Sequence, residues 1–153
     1  MNAVYLLGLV AAVAAPGPKG KVKDESVLGE WVAERTTFAG NQVPLPKEPV
    51  RYVFAPDGTW ATYRGEKKHP GEHQVYDADP AKSPPVIDLS FDEMDADRDP
   101  PSRPQVIRGI YKVDGDTLTL CLATKGGDRP KAFESTAEVP TRLWVFKRAK
   151  KKE

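Results

Sequence analysis

Fifteen residues settle the fold class: Gly109-Ile110-Tyr111-Lys112-Val113-Asp114-Gly115-Asp116-Thr117-Leu118-Thr119-Leu120-Cys121-Leu122-Ala123. Two segments of alternating apolar and polar residues flank Asp114-Gly115-Asp116. An Asp-Gly pair placed between such segments is a strong short-range signal for a β-hairpin. Leu118, Leu120 and Leu122 project to one side of the second strand, and Thr117, Thr119 and Cys121 to the other, because successive strand side chains alternate in direction. An antiparallel sheet with one apolar face follows. The stretch says nothing about chemistry.

Outward from this hairpin, further strands are expected at 31–38, 50–55, 59–63, 71–76, 86–91, 132–135 and 143–147. With 106–113 and 117–123 they make about nine. A single helical turn is expected at 24–28. Pro56-Asp57-Gly58 supplies a second Asp-Gly turn, between 50–55 and 59–63. Proline is absent from 105–129 and recurs between most of the other apolar segments, the punctuation of a sandwich or barrel. Leu143-Trp144-Val145-Phe146 ends the pattern with a strand able to pair with the first one. Closure of that kind removes exposed edges. The reading is an all-β antiparallel meander closing into a barrel of about 8–9 strands.

The chain has 153 residues, enough for one domain with one core. Its 23 basic and 22 acidic residues nearly cancel, and no basic face points to nucleic acid. The basic cluster at 147–152 reads as a solvated tail, assigned to 149–153. One cysteine, Cys121, excludes an internal disulfide, and its place within a strand suits an inert, half-buried thiol.

Residues 4–13 are an unbroken run of Val, Tyr, Leu, Gly and Ala, too short to span a bilayer but suited to the apolar region of a signal peptide. Ala12-Val13-Ala14 provides the small residues of a cleavage site. The expected organisation is a signal-type helix at 1–14, a flexible linker at 15–26 and the barrel domain at 27–148. Export to the periplasm, envelope or exterior follows, with no stable membrane span after cleavage.

Several motifs fit one pattern. Leu28-Gly29-Glu30-Trp31, Pro85-Val86-Ile87-Asp88-Leu89, Gly109-Ile110-Tyr111 with Gly115-Asp116-Thr117-Leu118, Arg129-Pro130 with Phe133, and Leu143-Trp144-Val145-Phe146-Lys147-Arg148 together resemble an uncharacterised lipocalin-like domain abundant in planctomycete bacteria. The resemblance covers roughly residues 27–148. It implies a lipocalin-like β-barrel and an exported location, and it implies no enzyme activity. It assigns structural roles to Gly29, Trp31, Asp88, Gly109, Arg129 and Arg148, with Arg148 covering the ring of Trp31 at the closed end of the barrel.

Other constellations carry little chemistry. Asp95, Asp97 and Asp99 have the spacing of half a calcium loop, but Pro100 and Val106 occupy the positions where such a loop needs glycine and glutamate. The stretch 92–104 therefore reads as a solvated acidic loop. His69 and His73 are four apart, yet Pro70 and Gly71 break the helix that would bring them together. No nucleophile elbow, phosphate loop or Cys-x-x-Cys pair is present, so no cofactor, metal or catalytic residue is assigned. Asp88, among apolar neighbours, is expected to accept hydrogen bonds structurally. The strand aromatics Trp60, Tyr63, Tyr76 and Tyr111 are candidates to line a barrel interior. Two readings follow: a non-catalytic module binding a small apolar or amphipathic ligand, or a packed envelope domain that contacts a protein partner through its loops.

Overall fold

The computed structural model describes residues 23–150, which form ten strands and one 3-10 turn at Glu25–Val27. The strands are β1 (Gly29–Phe38), β2 (Asn41–Val43), β3 (Val50–Phe54), β4 (Trp60–Arg64), β5 (Lys67–Lys68), β6 (Glu72–Asp79), β7 (Val86–Met94), β8 (Ser102–Asp114), β9 (Thr117–Leu122) and β10 (Arg142–Arg148). Among the described residues no helix is long and apolar enough to cross a membrane. The expected signal-type helix at 1–14 lies outside the described residues.

The strands form one curled antiparallel sheet in the order β5-β4-β3-β1-β10-β9-β8-β7-β6, with β2 added beside the end of β1. The Leu-bearing hairpin is β8 and β9, paired from Gly109↔Leu122 to Asp114↔Thr117. Gly115 opens its turn at φ +57°, a left-handed conformation that glycine enters without a Cβ clash. The first and last strands pair as expected, Trp31↔Arg148 through Phe38↔Arg142, with a bulge between Ala33 and Arg35. Such a bulge adds local twist and bend.

The cylinder is not laddered shut, which corrects the expectation of a closed meander. Its free flanks are β4–β5 and β6, joined by a single bridge at Thr59↔Val75 and one hydrogen bond from the Tyr76 N–H to the Gly58 carbonyl, 2.9 Å. The cause is local. Pro70 offers no N–H, and β6 carries an irregularity between Glu72 and Val75 where His73 adopts φ +51°. The His73 ring is held by Asp92 at 2.7 Å.

Three other expectations change. Residues 132–135 are not a strand; they belong to a strap, 124–141, that crosses the outer face of β9. The acidic stretch 92–104 is mostly ladder, since β7 and β8 stay paired out to Met94↔Ser102. Pro104 is accommodated because β9 has already ended beside that half of β8. The linker expected at 15–26 is anchored at its far end. There Asp24 caps the 3-10 turn through the Ser26 N–H, and Val27 is fully buried.

The core fills the end of the sheet around Trp31. Phe54, Tyr76, Ile87, Leu89, Tyr111, Leu118, Leu120 and Phe146 are at most 1% exposed. Their alternation with outward residues accounts for the period-2 pattern of the sequence.

Candidate functional site

The two ends of the curled sheet differ. At the closed end the Trp31 indole N–H donates to the Val27 carbonyl at 2.8 Å, and the Arg148 guanidinium lies over the ring, 4.1 Å from its centre. The expected Trp31–Arg148 contact is therefore present, a cation–π pair contributing on the order of 0.5–2 kcal/mol. Arg148 also donates to the carbonyls of Leu28, at 2.8 Å, and Ser26, at 3.1 Å, clamping the 3-10 turn over the opening. Gly29 sits beneath it at φ +111°, where a Cβ would stand 3.3 Å from Arg148 Nη1. The Gly-x-Trp spacing thus has a physical reason.

Tyr76 and Tyr111, proposed from sequence to line a ligand site, are structural plugs at this end. The Tyr76 hydroxyl donates to the Ala55 carbonyl at 3.1 Å, and the Tyr111 hydroxyl donates to Asp24 Oδ2 at 2.5 Å. Burial pushes the Tyr76 phenol up to about 12. Burial, reinforced by the Asp24 carboxylate, pushes Tyr111 up as well. For Asp24, burial pushes upward, but hydrogen bonds from Ser26 and Tyr111 outweigh it and hold the carboxyl below its ordinary value.

The open end holds a cavity of about 670 Å3. Its apolar wall is made by Tyr52, Trp60, Phe91, Ile107 and Trp144. Trp60 is the sequence candidate that the structure places there, its indole N–H donating to the Ser90 carbonyl at 3.1 Å. Tyr63 borders the cavity only at the lip. It alternates with Thr62 and so faces outward, where Arg51 lies 4.9 Å from its ring centre. Of the four candidates, the structure brings only Trp60 and Tyr63 together at this site.

Sequence reasoning missed Tyr52, Phe91 and Trp144. The signal existed: Tyr52 shares the face of Phe54, Phe91 that of Leu89, and Trp144 that of Phe146. Tyr52 is the hub, with ring centres 6.1 Å from Trp60, 5.8 Å from Trp144 and 4.9 Å from Phe146. Burial pushes its phenol up to about 12, with the nearby Arg142 charge pulling the other way, so the hydroxyl stays neutral and able to donate. Neither that hydroxyl nor the Trp144 indole N–H makes a hydrogen bond among the described residues.

A second cavity of about 460 Å3 runs along the seam between β4 and β6 and shares Trp60, Tyr63, Lys68 and Gln74 with the first. The incomplete seam is thus a side opening beside the mouth. The mouth itself is bordered by Arg64, Lys67, Lys68 and His69.

The remaining residues singled out from sequence form a separate cluster on the outer face. Arg129 pairs with Asp88 at 2.7 Å and donates to the carbonyls of Gly109, at 2.8 Å, and Ile87, at 3.3 Å. Gly109 joins this cluster through its carbonyl alone; on its inner, core side a Cβ would stand 2.6 Å from Leu122 Cδ2 and 2.9 Å from the Cys121 carbonyl oxygen. This cluster pins the 124–141 strap to the sheet. Beneath the strap, Cys121 is fully buried, its Sγ 3.4 Å from the Thr141 hydroxyl, and burial pushes its thiol up. That environment is the reverse of one that activates a cysteine.

The two histidines are engaged separately, His69 Nδ1 donating to the Pro70 carbonyl at 3.0 Å and His73 contacting Asp92. Asp95 accepts from the Asp97 N–H and pairs with Arg98 at 3.2 Å. Among the described residues no group of three or more His, Cys, Asp or Glu side chains is placed to hold a metal ion. Comparison of the chain with protein-family models, curated proteins and solved structures gives no match in any of the three.

Proposed function

We propose that this chain is an exported, non-catalytic lipocalin-like carrier that binds a small apolar or amphipathic ligand in its open end. The supporting observation is the 670 Å3 cavity walled by Tyr52, Trp60, Phe91 and Trp144. Its volume falls in the range of roughly 300–1,000 Å3 of small-molecule sites, and a mostly apolar wall with a few polar atoms is their usual make-up. The Tyr52 hydroxyl and Trp144 N–H, unpaired among the described residues, supply such atoms. A packed envelope domain working through its loops would have no reason to keep that volume open, and the stretch 92–104 offers only a short turn beyond its ladder. The lipocalin-like kinship rests on the sequence motifs quoted above, and export rests on the leader at 1–14.

Native mass spectrometry of protein purified from its own host tests the reading. A small molecule of constant mass should travel with the wild type and be lost from a Trp144→Ala variant that still folds. Wild type that arrives empty, and that does not enhance the fluorescence of an apolar dye such as 1-anilinonaphthalene-8-sulfonate, would remove the carrier reading.

A further inference from the structure

Resting on that carrier reading, we infer that the ligand is a single-chain amphiphile with an anionic head, a carboxylate or phosphate, held tail-inward with its head at Lys67 and Lys68. The argument starts from charge. Acidic and basic residues nearly balance over the whole chain, 22 against 23, yet the cavity is bordered by Arg64, Lys67 and Lys68 and by no Asp or Glu among the described residues. Arg64 is committed to Glu48 at 3.3 Å. Lys67 and Lys68 are exposed and have no carboxylate partner among the described residues. They make up the whole of β5, which is held to β4 through Arg64↔Lys67 and Tyr63↔Lys68, so the backbone places both lysines at the lip, where both border the cavity.

The interior fixes the orientation. The floor is aromatic, and the Arg142 charge near Tyr52 is not part of the cavity wall but lies over the Phe38 ring at 4.8 Å. A charge carried down would therefore be stripped of water without a wall ion to pair with, a heavy penalty. An alkyl tail gains on the same journey by leaving water. Only an inverted arrangement, charged end outward at the lysines, satisfies both constraints. A neutral alcohol would gain the tail contribution alone, and a cationic head would meet like charge.

The test compares four ligands with the same tail: decanoate, decyl phosphate, decanol and decyltrimethylammonium. Each is titrated below its micelle concentration into the full chain at low salt, with tryptophan fluorescence as the readout. Decanoate or decyl phosphate should bind about tenfold tighter than decanol, a margin that shrinks as salt screens the lysines. The tighter of the two anions identifies the head. The K67Q/K68Q double variant should bring both anions down to the decanol level and leave decanol unchanged. Decanol or the cation binding wild type as tightly as the anions would overturn the anionic head and leave the carrier reading standing. An unchanged anion preference in the double variant would overturn the lysine assignment. No binding by any of the four would take the carrier reading down with this one. The head-group series on wild type decides the question even if the double variant fails to fold.

Discussion

At the Trp31 end each buried aromatic with a polar atom has a hydrogen-bond partner: Trp31 with Val27, Tyr76 with Ala55, Tyr111 with Asp24. At the Trp144 end the same residue types surround empty volume, and two of their polar atoms are left without partners among the described residues. The ends are built from the same strands, a few residues apart. Closure at one end comes from the 3-10 turn at Glu25–Val27 and the Arg148 clamp; among the described residues the other end has no counterpart. The comparison teaches that the aromatics of one curled sheet divide into a structural set and an available set according to what caps them.

Substitution of matching residues at the two ends should break that symmetry most clearly. Trp31→Ala removes a fully buried indole, its hydrogen bond and the ring under Arg148, and should cost about 3–5 kcal/mol by urea denaturation. Trp144→Ala, in a partly open wall, should cost under about 2 kcal/mol while abolishing ligand binding. Equal stability losses at the two sites would dissolve the distinction.

A next test concerns Gly109, whose inner side lies against the core residues Leu122 and Ile87. Gly109→Ala forces a methyl group against Leu122 and the Cys121 carbonyl and should destabilise by about 1–3 kcal/mol. The same denaturation experiment reads it. A neutral result would mean that β8 and β9 can separate freely at that point.

Acid should act on the closed end through Asp24. The Asp24 carboxyl is held below its ordinary value of 3.8, so it contributes stability above that pH and loses it as pH falls through the lowered value. Tyr111→Phe removes one of the hydrogen bonds responsible. The variant should be less stable than wild type at neutral pH by about 1 kcal/mol, and the gap in Tm should narrow below pH about 4. A gap that stays constant into acid would show that the Asp24–Tyr111 bond does not hold the carboxyl down.

The smallest effect is expected at Thr36, which is 2% exposed and whose hydroxyl has no hydrogen-bond partner among the described residues. Thr36→Val keeps the shape and removes the unpaired group, and should stabilise by about 1 kcal/mol in thermal unfolding.

The strands were legible where alternation runs long enough to be a pattern. That holds for β3, β4, β7, β8, β9 and β10. It fails for β2 and β5, since two or three residues cannot display a period of two. Residues 132–135 misled because Phe133 resembles a strand core residue; in fact its ring packs under Lys112, 5.2 Å away, on the outside. The acidic run beyond Asp92 misled in the opposite direction, since a ladder needs paired backbones and tolerates any side chains that face water. Alternation also tells which face a residue takes and not how far along the cylinder it lies. Trp60 and Tyr76 therefore look alike in sequence, and only the turn that covers Tyr76 and the lip left open beside Trp60 tell them apart. The Trp31–Arg148 pair was legible through the motif resemblance, and Asp88 and Arg129 were singled out without their mutual contact being foreseen.

The single bridge between Thr59 and Val75 leaves backbone donors and acceptors of β4 and β6 unladdered, and such edges can recruit strands from other molecules into fibres. Here the edge is short, kinked at His73, interrupted at Pro70 and flanked by two lysines, all features that make docking by a foreign strand unfavourable. The breach in the wall is therefore compatible with a dispersed protein at high concentration. Neutralising Lys67 and Lys68 lifts one of those safeguards, so the doubly substituted protein should assemble edge to edge more readily than the natural chain.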